Sequence, residues 1–141
     1  METAKTTVIH TDDAPKAVGP YTQARTIDGN TRLIFTAGQL GICPKTSKLV
    51  SDDVEQQAEQ ALKNLQAVLE KGNSSLDNVI KTNLFLADMA DFAKVNAVYA
   101  KKFKEPYPAR STVAVKQLPL GGKFEIEAVA FVNGPKFTPK L

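Results

Sequence analysis

Tryptophan is absent from this sequence, and histidine and cysteine occur once each, as His10 and Cys43. One His and one Cys cannot assemble a His/Cys metal cluster, a Cys-x-x-Cys redox pair or an intrachain disulfide. A Ser-His-Asp triad would have to run through His10, which lies in a polar N-terminal stretch and reads as a surface residue. Arginine is also scarce, confined to positions 25, 32 and 110. Neither sign of charge dominates: 18 basic against 15 acidic residues leave +3, too mild a balance to announce a nucleic-acid binder.

Long apolar runs are missing as well. No segment reaches the roughly 20 consecutive apolar residues of a membrane helix, and Met1 to Pro15 holds no apolar core of a secretory signal. The expected location is therefore the cytoplasm. A mitochondrial presequence is poorly matched, because the first arginine is Arg25 and Glu2, Asp12 and Asp13 interrupt the start. The terminal Pro139-Lys140-Leu141 has the wrong first residue for a peroxisomal Ser-Lys-Leu address.

What is present suits one globular domain: 141 residues, 43% apolar and 23% charged. A polar extension to about residue 13 and a Pro-containing tail over 133–141 flank it. Tyr21 to Ile27 and Thr31 to Leu40 read as strands joined by Asp28-Gly29-Asn30, a hairpin signal. From Ser51 the period becomes helical, with Val54, Ala58, Ala61, Leu65 and Val68 on one stripe, widened by Leu62 and Leu69. Ser51 suits the cap and Gly72 the stop. Leu76 to Ala87 alternates as a strand, and a second helix from Asp88 or Asp91 to Phe103 presents Phe92, Val95 and Tyr99 inward. Pro106 and Pro108 end it. Ala109 to Lys116 and Lys123 to Val132 form a last strand pair around the turn Gln117 to Gly122. The expected architecture is an α+β sheet with both helices on one face.

Alternation then distributes the chemistry. If Val113, Val115, Phe124, Ile126, Ala128 and Ala130 meet the helices, Arg110, Thr112, Glu125 and Glu127 share the opposite face. Ile80, Leu84 and Leu86 send Lys81 and Asn83 there too. That face also receives Ile34, Phe85, Val129 and Phe131, a mixture fitting either an oligomer interface with polar pockets or a solvated face with an Arg110–Glu125 pair.

These residues also carry a resemblance. Pro108-Ala109-Arg110-Ser111-Thr112, Leu118-Pro119 and Glu125-Ile126-Glu127-Ala128 resemble the C-terminal motif of the reactive-intermediate deaminase (Rid, or YjgF) family, RidA type. Gly19-Pro20-Tyr21, Thr36-Ala37-Gly38-Gln39, Val79-Ile80-Lys81-Thr82 and Asp91-Phe92-Ala93-Lys94-Val95-Asn96 match further stretches in order, so the likeness covers about Ala14 to Phe131. It implies a chorismate-mutase-like α+β fold assembled as a homotrimer with clefts between subunits. It further implies cofactor-free, metal-free hydrolysis of reactive 2-imino or enamine acids to 2-oxo acids and ammonia. By the same resemblance, Arg110 holds the substrate carboxylate and Glu125 positions or activates the attacking water. Tyr21 and Asn96 orient substrate or water, Gly38 and the Thr112 backbone N–H give main-chain contacts, and Lys81 is a further pocket member.

Two positions depart from the pattern: Thr112 stands where many relatives have Cys, and Ala37 where they have Ser. A thiol nucleophile would be lost here, whereas a contact through the backbone N–H survives. Two other function classes remain open. RNA cleavage or translation inhibition has been associated with the family, but Lys101, Lys102 and Lys104 form only a small basic cluster and aromatic residues make up 7%. A non-enzymatic metabolite-binding or chaperone-like role would use the same clefts.

Overall fold

The computed structural model describes residues 5–134. Strands β1 (Lys5–Ile9) and β2 (Ala24–Asp28) pair antiparallel in a small sheet of their own. The larger, mixed sheet contains β3 (Leu33–Phe35), β4 (Gln39–Leu40), β5 (Val79–Leu86), β6 (Ala109–Ala114) and β7 (Phe124–Phe131). Its order is β3-β7-β5-β6, with β4 also on β7. Helices α1 (Val54–Lys71) and α2 (Phe92–Lys102) cover one face.

The α+β class with both helices on one face is as the periodicity requires. Val54, Ala58, Ala61, Leu62, Leu65 and Leu69 of α1 and Val95, Val98 and Tyr99 of α2 are buried. They meet Leu84 and Leu86 of β5 and Phe124, Ile126, Ala128 and Ala130 of β7 in one core. Val68, placed on the same stripe, lies at its edge and is exposed. The cap of α1 is Asp53, whose carboxylate accepts from the Gln56 N–H at 2.9 Å, while Ser51 accepts from Asp53 N–H one step earlier. Gly72 ends the helix as expected.

Both expected hairpins are absent. Residues 5–9, assigned to the polar extension, form β1 and take β2, so β2 does not pair with β3 across Asp28-Gly29-Asn30. Gly29 does take the positive φ of a turn, 82°, but a turn residue does not decide which strands pair. Pairing goes to the strand that completes the buried sheet, and β3 therefore lies against β7. The run 31–40 is also not one strand: its register against β7 slips by one residue between Phe35 and Gln39. Thr36 bridges the slip, its N–H donating to Ala128 O and its hydroxyl accepting from Ala128 N–H, both at 3.0 Å.

The second lost hairpin has larger consequences. Strand β6 runs parallel to β5, which separates it from β7. Residues facing each other across a ladder point to the same side, and Arg110 and Thr112 lie opposite Thr82 and Leu84. Both of those partners are buried beneath the helices. Arg110 and Thr112 consequently face the helices, and Val113 faces away, 48% exposed. Ile34 changes sides too: it is registered with buried Ala130 and packs on the core, while Leu33 and Phe35 occupy the open face. On β5, an irregularity between Val79 and Lys81 places Val79 rather than Ile80 in the core. The Pro139-Lys140-Leu141 terminus lies outside the described residues.

Candidate active site

The residues singled out by sequence fall into two groups on opposite faces of the sheet. Under α2, Arg110 donates from Nη1 to Asn96 Oδ1 at 2.7 Å. Its guanidinium carbon sits 4.9 Å from the ring centre of Tyr99, 5.5 Å from that of Tyr21 and 5.6 Å from that of Phe92. Phe92 and Asn96 are one helical turn apart on α2, so they reach the same neighbour. Tyr99, one position short of a further turn, is fixed by a 2.9 Å hydrogen bond with the Thr82 hydroxyl and by stacking on Phe103. Sequence periodicity marked Phe92 and Tyr99 as core residues; their second role as walls around a cation was not legible there.

Tyr21 precedes β2 rather than lying in it, and the neighbouring backbone holds it in place. Thr22 N–H donates to Pro108 O at 3.1 Å and the Thr22 hydroxyl to Tyr107 O at 3.0 Å, pinning this loop to the start of β6. Arg25 ties the same junction, donating to Pro106 O and Tyr107 O on one side and to the Thr6 hydroxyl on the other. Tyr21 also lines an open cleft of about 580 Å³ with Val8, Gly19, Thr22, Pro106 and Tyr107. The walls of that cleft include no residue of β6 or α2.

Arg110 is half-buried, and among the described residues no carboxylate lies within ion-pair distance of it. Burial pulls its guanidinium below the ordinary value, which still leaves it charged at any physiological pH. Burial pushes the Tyr99 hydroxyl up to about 12, against smaller opposing effects of Thr82 and Arg110. Tyr99 therefore remains a neutral wall. One amide oxygen and three ring faces leave most of the five guanidinium donors unspent.

The second group lies on the open face. Glu125 is opposite Phe85, and Glu127 is opposite Asn83, whose amide donates to it at 3.2 Å. Burial, and secondarily the charge of Glu127, raises the Glu125 carboxyl above its usual range. A Cβ on Gly38 would fall 1.9 Å from Glu125 Oε1, so the glycine is the floor on which this carboxylate rests. Lys81 shares the face, its Nζ donating to the Ser111 hydroxyl at 3.5 Å. The expected sharing of one face by Arg110 and Glu125, whether as a catalytic set or an ion pair, is thus overturned within a single chain. The strand between them, β5, reverses the assumption on which it rested. His10 is a surface residue, 3.2 Å from Asp12.

Sheet, helices and site together define a small α+β protein built around one half-buried, aromatic-walled arginine that has no carboxylate partner among the described residues. The chain belongs to the Endoribonuclease L-PSP family, whose pattern matches residues 11–132, and the Rid/YjgF resemblance of its motifs is upheld by its relatives. It is 45% identical over 134 residues to human 2-iminobutanoate/2-iminopropanoate deaminase, covering 95% of each chain. It is 49% identical over 126 residues to Arabidopsis thaliana Reactive Intermediate Deaminase A, chloroplastic, covering 89% of this chain and 66% of the plant protein. Among solved structures it is similar to RidA from the Antarctic bacterium Psychrobacter, with TM-score 0.69, 43% identity and coverage of 89% and 99%. It is also similar to E. coli TdcF with bound serine, with TM-score 0.67, 37% identity and coverage of 90% and 99%. No helix among the described residues is long and apolar enough to cross a membrane.

Proposed function

We propose that this protein hydrolyses small reactive 2-imino acids, and their enamine tautomers, to 2-oxo acids and ammonia, using its own side chains alone. The observation that carries the reading is the unspent guanidinium of Arg110. A partly desolvated cation with no carboxylate partner is costly to maintain unless an anion completes it. A planar fork with two parallel donors matches a carboxylate. The deaminase relatives supply the class of acid, and the serine bound to TdcF is itself a small 2-substituted carboxylate.

The reaction requires water to add to the C2 carbon of the C=N bond. Glu125, as the general base, takes a proton from that water while its oxygen bonds to C2. Glu125 returns that proton to the nitrogen, giving a carbinolamine, and then relays the carbinolamine hydroxyl proton to the nitrogen as the C2–N bond breaks, so ammonia leaves and the C2–O bond becomes the carbonyl of the 2-oxo acid. Tyr21 and Asn96 orient the substrate around the clamped carboxylate, the Gly38 and Thr112 main chains add contacts, and Lys81 borders the Glu125 side. Arg110 and Glu125 lie on opposite sheet faces, so one small acid cannot touch both within one chain. The proposed site therefore combines Arg110 of one copy with Glu125 of another, in a chorismate-mutase-like homotrimer whose subunits meet through the open face bearing Phe35, Phe85 and Val113. An interface supplying a catalytic group also accounts for large apolar side chains left in the open.

The direct test couples purified protein to a threonine dehydratase and follows 2-oxobutanoate formation. Faster imine decay than in buffer is expected; an unchanged rate overturns the reading. Gly38→Ala is expected to keep the melting temperature within about 2 °C, because only the end of a side chain must move, yet to cut kcat about tenfold or more by displacing Glu125. A thermal melt beside the kinetic assay checks both halves.

The pH dependence follows from the Glu125 environment. A base must be deprotonated to act, so activity rises as pH rises through its carboxyl pKa, which lies above the ordinary carboxylate range. Glu127→Gln keeps an oxygen for Asn83 and removes one of the two causes of that elevation. The acid limb of kcat/KM is expected to move to lower pH in this variant. A limb that stays in place or moves upward assigns it to another group.

A further inference from the structure

The open face of the larger sheet carries opposite charges that do not meet. Glu127 on β7 is aligned with Asn83 on β5, and Asn83 with Ser111 on β6, so these side chains form one polar row across three strands. The Asn83 amide donates to Glu127 Oε1 at 3.2 Å. Lys81, two residues before Asn83 on the same face, reaches the other end of the row and donates to the Ser111 hydroxyl at 3.5 Å. Asn83 therefore stands between cation and anion, and among the described residues neither Lys81 nor Glu127 has an ion-pair partner. Both are half-buried. Apolar side chains flank the row, with exposed Phe35 on one side and exposed Val113 on the other.

Those apolar flanks gain from being covered, but a neutral partner laid over them would strand a lysine and a carboxylate away from water. A second copy of this chain avoids that penalty, because the row is negative at its β7 end and positive at its β6 end. We propose that the open face is covered by a second copy and that Lys81 of one copy pairs there with Glu127 of the other. The inference rests on the reading of the catalytic site as shared between copies, and it names the contact that sets how the copies meet. Ala109, next to Arg110 on β6, is aligned with Lys81, and Glu125 lies about 6.6 Å from Glu127 along β7. The β6 edge of one copy set against β7 of the other thus serves both pairings, Lys81 with Glu127 and the acid held by Arg110 with Glu125. Asn83 and Ser111 hold the two charges in place before association, so little side-chain freedom is lost on pairing. Like charges brought together there in any other register would repel, which makes the pair a device of specificity as well as of affinity.

The test is charge reversal followed by sedimentation to measure the subunit dissociation constant. Lys81→Glu and Glu127→Lys are each expected to raise it about 100-fold or more. Combined in one chain, the two substitutions are expected to bring it back to within about tenfold of wild type. Restoration within one chain does not by itself show that the pair joins two chains, so the single variants are also mixed. Complexes containing both are expected at concentrations where neither associates alone. Dissociation constants within about threefold of wild type in the single variants overturn the proposal, as does a double variant no better than the worse single or a mixture without mixed complexes. If a reversed chain does not fold, Lys81→Met and Glu127→Gln replace the reversals. Each is then expected to weaken association about tenfold, and the two together by clearly less than the product of their separate effects; independent effects overturn the pairing. A wild type that is monomeric removes both the pair and the shared site. An oligomer indifferent to residues 81 and 127 removes the pair alone, and one governed by them that hydrolyses no imine removes only the proposed reaction.

Discussion

Arg110→Ala is expected to lower kcat/KM for a 2-imino acid by about 10²–10³-fold, the value of two charge-assisted hydrogen bonds to a carboxylate. The loss appears largely in KM if the clamp holds ground state and transition state alike, and in kcat as well to the extent that it aligns C2 with the water. Arg110→Lys recovers little, because an ammonium is a point charge and the ring-walled slot between Tyr21, Phe92 and Tyr99 fits a flat group. Steady-state kinetics on all three proteins, each with a thermal melt, checks this. A lysine variant with near wild-type kcat/KM would reduce the role of Arg110 to general positive charge.

The second large effect concerns two inactive proteins that repair each other. Glu125→Gln removes the proposed base and is expected to lower kcat by about 10²–10⁴-fold with little change in KM. Arg110→Ala and Glu125→Gln protomers, mixed before assembly, are then expected to regain about a quarter of wild-type activity. Random assortment pairs an intact Arg110 with an intact Glu125 across that share of the interfaces of a cyclic oligomer. No such recovery is possible if both groups serve one site within a chain. Mass measurement establishes that mixed oligomers have formed. Mixed oligomers as inactive as their parents would refute the shared site, and a monomeric wild type would remove its basis.

The sheet order explains why this arrangement was not legible from residue patterns. Alternation correctly divided β7, with Phe124, Ile126, Ala128 and Ala130 inward and Glu125 and Glu127 outward. It also divided β6 correctly into two sets. It could not say which set faces the helices, because Val113 is apolar and Arg110 charged, and the usual preference assigns valine to the core. Here the preference is reversed: Val113 is exposed on the open face, and Arg110 is accommodated inside by Asn96 and three rings. A cation on the buried side breaks the local rule at the site proposed to be functional, which is where such breaks are expected.

Periodicity and residue inventory determined the helices, most of the core on α1 and α2 and all of its members on β7, and the exclusion of a chemistry built on paired His or Cys. Those features depend on local spacing and on counts, which a linear chain states directly. Motif likeness pointed to the family and to Arg110, Tyr21, Asn96, Gly38 and Glu125 as residues of interest. Only the tertiary structure decided that β5 lies between β6 and β7, that β1 takes β2 from β3, and that Arg110 and Glu125 stand on opposite faces. Strand pairing is a long-range choice made by the burial of whole faces, and no turn signal or alternation pattern within one segment contains it.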